Sequence, residues 1–370
     1  MKIICSKSQL LGGVNIVSKA VSGKTTMDIL QCILVETGSD GIKLTANDTE
    51  LGIETMIEGE IVQSGHIALE AKIFSDIIRK LPDSEVVIET EENGRTVITC
   101  EQMRCTITGK SGEDFTRLPD INKDNKITIS QFDLKEIIRQ TIFSISNNEN
   151  NRLMTGELIH INGNKLTITS LDGHRISLRN IELSDSYPDM EIIVPGKTLA
   201  EISKILSGEA EEMISLYITD RHVLFEFDKT RVISRLLEGK FYNISQMLST
   251  DYETKIIVNK MDLLRCLDRS TLFVKESEKR PIILQIEEDK MELRIASDIG
   301  SMKDTLYLKK EGKDLTIGFN PRFLVDALRV IDEEEISIYM INSIAPCIIR
   351  DDAHSYLYLI LPINVNNSGY

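Results

Sequence analysis

The chain has 370 residues, of which 41% are apolar and 27% charged, and a net charge of −15. That length exceeds one hydrophobic core and suits two or three domains. No run approaches the roughly 18 apolar residues of a membrane span, and the opening MKIICSKSQLLGG lacks the form of a signal peptide, so a cytoplasmic protein is expected.

In chain order, MKIIC reads as a short strand and SQLLGGVNIVSKAVS, from Ser8, as a helix. The next stretch, Ser22-Gly23-Lys24-Thr25-Thr26, imitates the end of a phosphate-binding loop. The first Gly of such a loop would fall at Ser18, and a helix precedes it where a strand is needed, so ATP binding is not expected. β-like runs such as ILQCILVET follow, then a helix over 72–82 and the alternating SEVVIET. The same order returns as NKITIS, a helix FDLKEIIRQTIFSIS from about Asp133, GELIHINGNKLTITS, a helix over 197–207 and EEMISLYITD. It returns again as TKIIVN, a helix KMDLLRCLDRSTLFV from Lys260, IILQIEEDKMELRIAS, a helix over 322–332 and EEEISIYMI.

The second helices of the three copies align at a fixed step. Phe74, Leu199 and Leu324 stand 125 residues apart, as do Asp76, Glu201 and Asp326, and Leu81, Leu206 and Ile331. In the first helices, Leu10, Leu134 and Leu263 are spaced by 124 and 129. Such self-similarity marks an internal triplication. Three α+β domains are expected at residues 1–120, 127–246 and 253–370, and repetition argues against an enzyme with a single active site.

The charge is sorted along the chain. The six helices with their flanks carry +9, leaving −24 for everything else. Helices sharing one face would offer a positive potential to a polyanion, while the acidic remainder keeps the protein soluble. With no Trp and few aromatics beside the basic residues, attraction to duplex phosphates is expected over stacking on single strands.

Residues 166–179 read LTITSLDGHRISLR. A catalytic reading would make His174 a general base oriented by Asp172, in a hydrolase or transferase. No nucleophile or metal pattern accompanies the pair, and Asp-Gly also reads as a turn between two strands. Cys5, Cys32, Cys100, Cys105, Cys266 and Cys347 form no C-x-x-C pair, although Cys100 and Cys105 could approach across a strand; reduced thiols are expected. Five scattered histidines show no zinc spacing. No catalytic residue, metal or cofactor is expected. A purely structural homo-oligomer is the remaining alternative.

LTANDTELGI (44–53), SLDGHRISL (170–178), IIVPGK (192–197), SRLLEGKF (234–241), IGFNPRFLVDAL (317–328) and YLILPINV (358–365), together with the triplication, resemble the bacterial DNA polymerase III β subunit, the β sliding clamp family, over the whole chain. The resemblance implies an α+β fold of three tandem DNA-clamp domains, each with two helices packed on antiparallel sheets. It also implies a head-to-tail homodimer closing a six-domain ring around double-stranded DNA without sequence specificity. Such a ring is a non-catalytic processivity factor. It tethers the polymerase III catalytic subunit, the clamp loader, and other polymerases and repair proteins that carry clamp-binding peptides.

Carried over by position, the resemblance implies a partner-peptide pocket of Met154, Leu171, Gly173, His174, Arg175, Ile176, Tyr242, Met247, Asn320, Ile344, Pro346, Leu359, Leu361, Pro362 and Ile363. DNA contacts are implied at Lys24, Lys197, Arg79, Lys80, Arg152 and Lys204. A dimer contact is implied between the strand holding Arg104, Cys105 and Ile107 and the region of Leu272 and Phe273. The chain departs from the family pattern in three places. Tyr242 follows Phe241 where Pro is common, which narrows the pocket or offers it a stacking ring. Cys105 replaces a frequent aromatic residue, so a less stable dimer is expected. The tail NNSGY extends past the usual end, either disordered or partly covering the groove.

Overall fold

The computed structural model describes residues 1–23, 25–248, 251–274 and 280–364. The first third forms β1 (Lys2–Ser6), α1 (Lys7–Val17), β2 (Cys32–Gly38), β3 (Gly41–Asn47), β4 (Leu51–Ile57), β5 (Glu60–Gln63), β6 (His66–Glu70), α2 (Ala71–Lys80), β7 (Glu85–Thr90), β8 (Arg95–Cys100) and β9 (Met103–Thr108). The middle third forms β10 (Lys126–Ser130), α3 (Gln131–Arg139), β11 (Gly156–Leu171), β12 (Arg175–Pro195), α4 (Gly196–Ile205), β13 (Met213–Ile218), β14 (His222–Phe227) and β15 (Thr230–Arg235). The last third forms β16 (Thr254–Asn259), α5 (Lys260–Ser270), β17 (Ile282–Glu287), β18 (Lys290–Ser297), β19 (Gly300–Tyr307), β20 (Lys309–Gly312), β21 (Leu315–Phe319), α6 (Pro321–Val330), β22 (Glu335–Met340), β23 (Cys347–Arg350) and β24 (Tyr356–Ile360).

The triplication is visible in the pairing. In each copy the strand before the first helix lies antiparallel to the strand after the second: β1 with β7 (Ile3 opposite Ile88), β10 with β13 (Ile127 opposite Leu216) and β16 with β22 (Ile256 opposite Ile338). The periodic apolar positions are all buried. Leu10, Phe74, Leu134, Leu199, Leu263 and Leu324 are each at most 2% exposed, and burial of such side chains contributes about 1.5–3 kcal/mol each.

The first helix of every copy is shorter than its apolar pattern suggests, because hydroxyls compete for the last carbonyls. Ser18 Oγ donates to Val14 O at 2.5 Å, Thr141 Oγ1 to Ile137 O at 2.8 Å and Ser270 Oγ to Leu267 O at 2.6 Å. Short 3₁₀ turns then take over at Ser18–Ala20, Ile142–Ser144 and Thr271–Phe273. Helix starts are capped by side chains: Ser6 for α1, Asn259 for α5 and Asn320, followed by Pro321, for α6.

The chain packs as two compact units, Met1–Phe132 with Lys204–Leu236, and Asp133–Ser203 with Leu237–Tyr370. The first holds a sheet ordered β5-β1-β7-β8-β9 and a second ordered β10-β13-β14-β15-β4-β3-β2-β6. Strands of two repeats meet at β15 and β4, where the buried hydroxyls of Thr55 and Thr230 bond at 2.8 Å. Gly13 lets α1 settle on this sheet, since a Cβ there would stand 2.6 Å from Ile57 and 2.8 Å from Leu44.

The second unit holds a sheet ordered β11-β12-β24-β23-β22-β16-β20 and another ordered β19-β18-β17-β21. Here two repeats meet at β12 and β24. Leu263 and Leu267 of α5 and Leu324 and Leu328 of α6 fill the core with side chains from these strands. All six cysteines are free. Among the described residues no helix is long and apolar enough to cross a membrane.

Candidate functional site

The hairpin of β11 and β12 turns through Asp172-Gly173-His174. Asp172 Oδ1 accepts from the backbone N–H of His174 at 2.9 Å and of Arg175 at 3.1 Å, an Asx turn. Gly173 has φ +86°, a region that side chains disfavour. The His174 ring stacks on Phe323 with centroids 6.0 Å apart. Asp172 therefore orients a turn and not an imidazole, which removes the geometry that a catalytic Asp172–His174 pair requires.

The Asp172 carboxylate also receives Arg175 Nε at 3.0 Å. Arg175 Nη1 donates to Asp326 of α6 at 2.6 Å and Nη2 to the Phe143 carbonyl at 2.5 Å. Its guanidinium sits 4.5 Å from the Phe323 ring centroid and 5.4 Å from that of Phe143. The side chain is 11% exposed. Arg175 thus ties the turn to α6 and to the Ile142–Ser144 turn, with its charge committed to the protein's own groups.

Beside this turn lies an open cleft lined by Met154, Leu171, Gly173, His174, Arg175, Ile176, Tyr242, Asn243, Ile244, Met247, Leu359 and Leu361. A second cleft shares Met247, Leu359 and Leu361 and adds Gln246, Asp251, Tyr339, Ile341, Pro346 and Ile348. One row of side chains floors both. Leu171 stands opposite Ile176, Ile176 opposite Leu359, Leu359 opposite Ile348 and Ile348 opposite Tyr339, across five adjacent strands. All five are buried in one apolar cluster. The walls are adaptable thioether and aliphatic chains: Met247 is 57% and Leu361 40% exposed.

Ten of the expected pocket residues line the first cleft, and Pro346 lines the second. The other four stand apart from the linings. Asn320 caps α6 through Arg322 N–H, Ile344 is 74% exposed in the loop after β22, and Ile363 N–H is bound to the Gly318 carbonyl; Pro362 is half-buried. The reading from sequence missed Asn243, Ile244 and most of the second cleft. Tyr339 and Ile348 sit in alternating strands, but only pairing brings them into the row.

Family models match the chain end to end: the DNA polymerase III beta subunit N-terminal domain over residues 1–119, the central domain over 128–243 and the C-terminal domain over 245–364. The chain belongs to the DNA polymerase III beta subunit family. It is 33% identical over 374 residues to the beta sliding clamp of Staphylococcus epidermidis, covering 98% of this chain and 99% of that one. The crystal structure of the Bacillus subtilis DNA polymerase sliding clamp superposes with a TM-score of 0.93 at 31% identity, covering 99% of each chain. A Eubacterium rectale chain assigned as a DNA polymerase III beta subunit superposes with a TM-score of 0.95 at 58% identity, covering 98% of this chain and all of that one. The fold is accordingly three tandem α+β clamp domains, with helices packed on antiparallel sheets.

The helices of these clamp domains are less cationic than the count with flanks suggested. Within its observed bounds α3 is neutral, with Asp133 and Glu136 against Lys135 and Arg139. Several helical arginines are paired: Arg79 with Asp76 at 3.1 Å, Arg139 with Glu136 at 2.7 Å, Arg329 with Asp268 at 2.9 Å, and Arg269 with Asp304. Of the expected DNA contacts, Arg79 and Lys80 end α2, Lys197 and Lys204 lie near the two ends of α4, and Arg152 sits in the turn before β11; all are exposed. Lys24 lies outside the described residues, as do residues 366–370 of the tail.

Each of the four sheets ends on two strands with one unpaired side, β9 and β19 among them. On β9, Arg104 is exposed while Cys105 and Ile107 are half-buried. Leu272 is 74% exposed, whereas Phe273 packs on the core of its unit. Tyr307, 80% exposed, ends β19, and Ile299, 56% exposed, precedes it. Neither they nor β19 was singled out from sequence.

Proposed function

We propose that this clamp acts by enclosure: two copies joined head to tail form a ring around duplex DNA, and the clefts beside Asp172-Gly173-His174 hold short peptides of its partners. The protein is a sliding clamp and DNA polymerase processivity factor. The observation that carries it is the five-residue apolar row under an Asx turn whose aspartate is already committed to Arg175. Such a surface binds side chains and performs no proton transfer.

The open edges of β9 and β19 support the dimer. A strand with one unpaired side pairs readily with another chain, and a head-to-tail contact closes when rotation returns to the start. The edge of β19 is a better partner for β9 than the Leu272–Phe273 turn alone, which would flank it. Sparse lysines on the helices, including Lys197, Lys80 and Lys204, supply phosphate attraction too weak to hold one position, which permits sliding. Paired arginines fit that requirement. Tethering a polymerase through the cleft raises its local concentration at the template. The polymerase catalytic subunit, the clamp loader and repair proteins are its partners, and it works in the cytoplasm.

The test compares retention on nicked circular DNA with retention on the same DNA after linearisation, following loading by an ATP-driven clamp loader. Enclosure predicts stable retention on circles and rapid loss from linear ends; equal loss from both overturns it.

A further inference from the structure

One wall of the first cleft is held by a residue that does not line it. Asn151 lies in the turn Glu149–Thr155, where its φ of −116° and ψ of 71° break the helical run. Its carboxamide reaches two lining residues at once. Oδ1 accepts from the Tyr242 hydroxyl at 2.6 Å, and Nδ2 donates to the Met154 sulfur at 3.1 Å. The polarity suits both partners, because a phenol donates and a thioether only accepts. Tyr242 is 40% exposed, and its ring meets Phe241 edge-on with centroids 6.0 Å apart. Its hydroxyl is the second anchor that fixes where the ring stands over the cleft.

We propose that Asn151 is a positioning residue for the partner-peptide pocket, holding the Tyr242 ring and the Met154 side chain as one preformed wall. This rests on the reading of the cleft as a peptide site and deepens it. A wall ordered before the ligand arrives removes an ordering cost from binding, which appears mainly in the dissociation rate. The Tyr242 hydroxyl acts through Asn151, so the two side chains are energetically one unit.

The experiment uses the full-length protein and a labelled synthetic peptide with a Leu-Phe pair in an otherwise polar sequence, followed by fluorescence anisotropy. Asn151→Ala and Tyr242→Phe are each expected to weaken binding about threefold to tenfold through faster dissociation. The double variant is expected to be no weaker than Asn151→Ala alone, the signature of coupling. Asn151→Asp keeps the acceptor for Tyr242 without the donor for Met154 and recovers part of the loss. Thermal unfolding is followed in parallel and is expected to be unchanged. Unaltered affinity in Asn151→Ala, additive loss in the double variant, or loss that tracks a lowered unfolding temperature overturns the positioning role. Failure of the unaltered protein to bind the peptide at all removes the pocket reading, and the proposal with it.

Discussion

Ile176 and Leu359 face each other across β12 and β24 although 183 residues separate them in the chain. That one register joins the middle repeat to the last and sets the floor of the cleft. The C-terminal segment is held there by Leu361 N–H on the His174 carbonyl at 2.9 Å. His174→Ala combined with removal of residues 361–370 is therefore expected to weaken peptide binding by at least about tenfold. Sedimentation should still report the dimer. Peptide affinity equal to that of the unaltered protein would count against the assignment.

Arg175 carries a separate expectation. Removing it takes the guanidinium from Asp172 Oδ2, Asp326 and the Phe143 carbonyl in a site where the arginine is 11% exposed, and leaves Asp172 only its two backbone donors. Arg175→Ala is expected to destabilise the fold by about 3–5 kcal/mol, measured by urea unfolding. Arg175→Lys should recover little, since an ammonium cannot span three acceptors lying in different directions.

Glu157 on β11 is buried, and among the described residues neither carboxyl oxygen has a hydrogen-bond partner. Burial raises its pKa from 4.5 to about 8; the Thr141 hydroxyl opposes this only in part, its proton being given to Ile137 O. The folded state thus keeps a proton that the unfolded chain has lost. The associated stability is full below about pH 4.5, falls as pH rises and is gone above about 8. Glu157→Gln should match the unaltered protein near pH 4.5 and exceed its stability above pH 8 by an amount on the order of several kcal/mol. Parallel urea midpoints across that range would sink this assignment.

Lys80→Glu with Lys197→Glu is expected to lower loading onto nicked circular DNA and to flatten its salt dependence, by a slope of about 0.9 for each phosphate no longer neutralised. Binding of the synthetic peptide should not change. Normal loading would remove both lysines from the DNA surface.

Leu272→Asp places a charge at a position 74% exposed within the chain, so its effect on the fold should stay within about 0.5 kcal/mol. If Leu272 flanks the dimer contact, a sedimentation series at falling concentration should show monomer at higher protein concentration than for the unaltered chain. Cys105→Phe should move the midpoint the other way by adding apolar area.

The triplicated order of strands and helices was legible because it rests on local pattern. Phe74, Leu199 and Leu324 recur at one step, and each must be buried for its helix to pack. The sequence by itself determined these elements, the acidic excess and the Asp-Gly turn. Tertiary structure alone decided that Leu171, Ile176, Leu359, Ile348 and Tyr339 form one row, that Arg175 faces inward to Asp326, and that β9 and β19 are left at sheet edges. Helical and strand periods depend on neighbours within a few residues. Register between strands from different repeats depends on partners more than a hundred residues away, and a one-residue slip would turn the whole row to the opposite face.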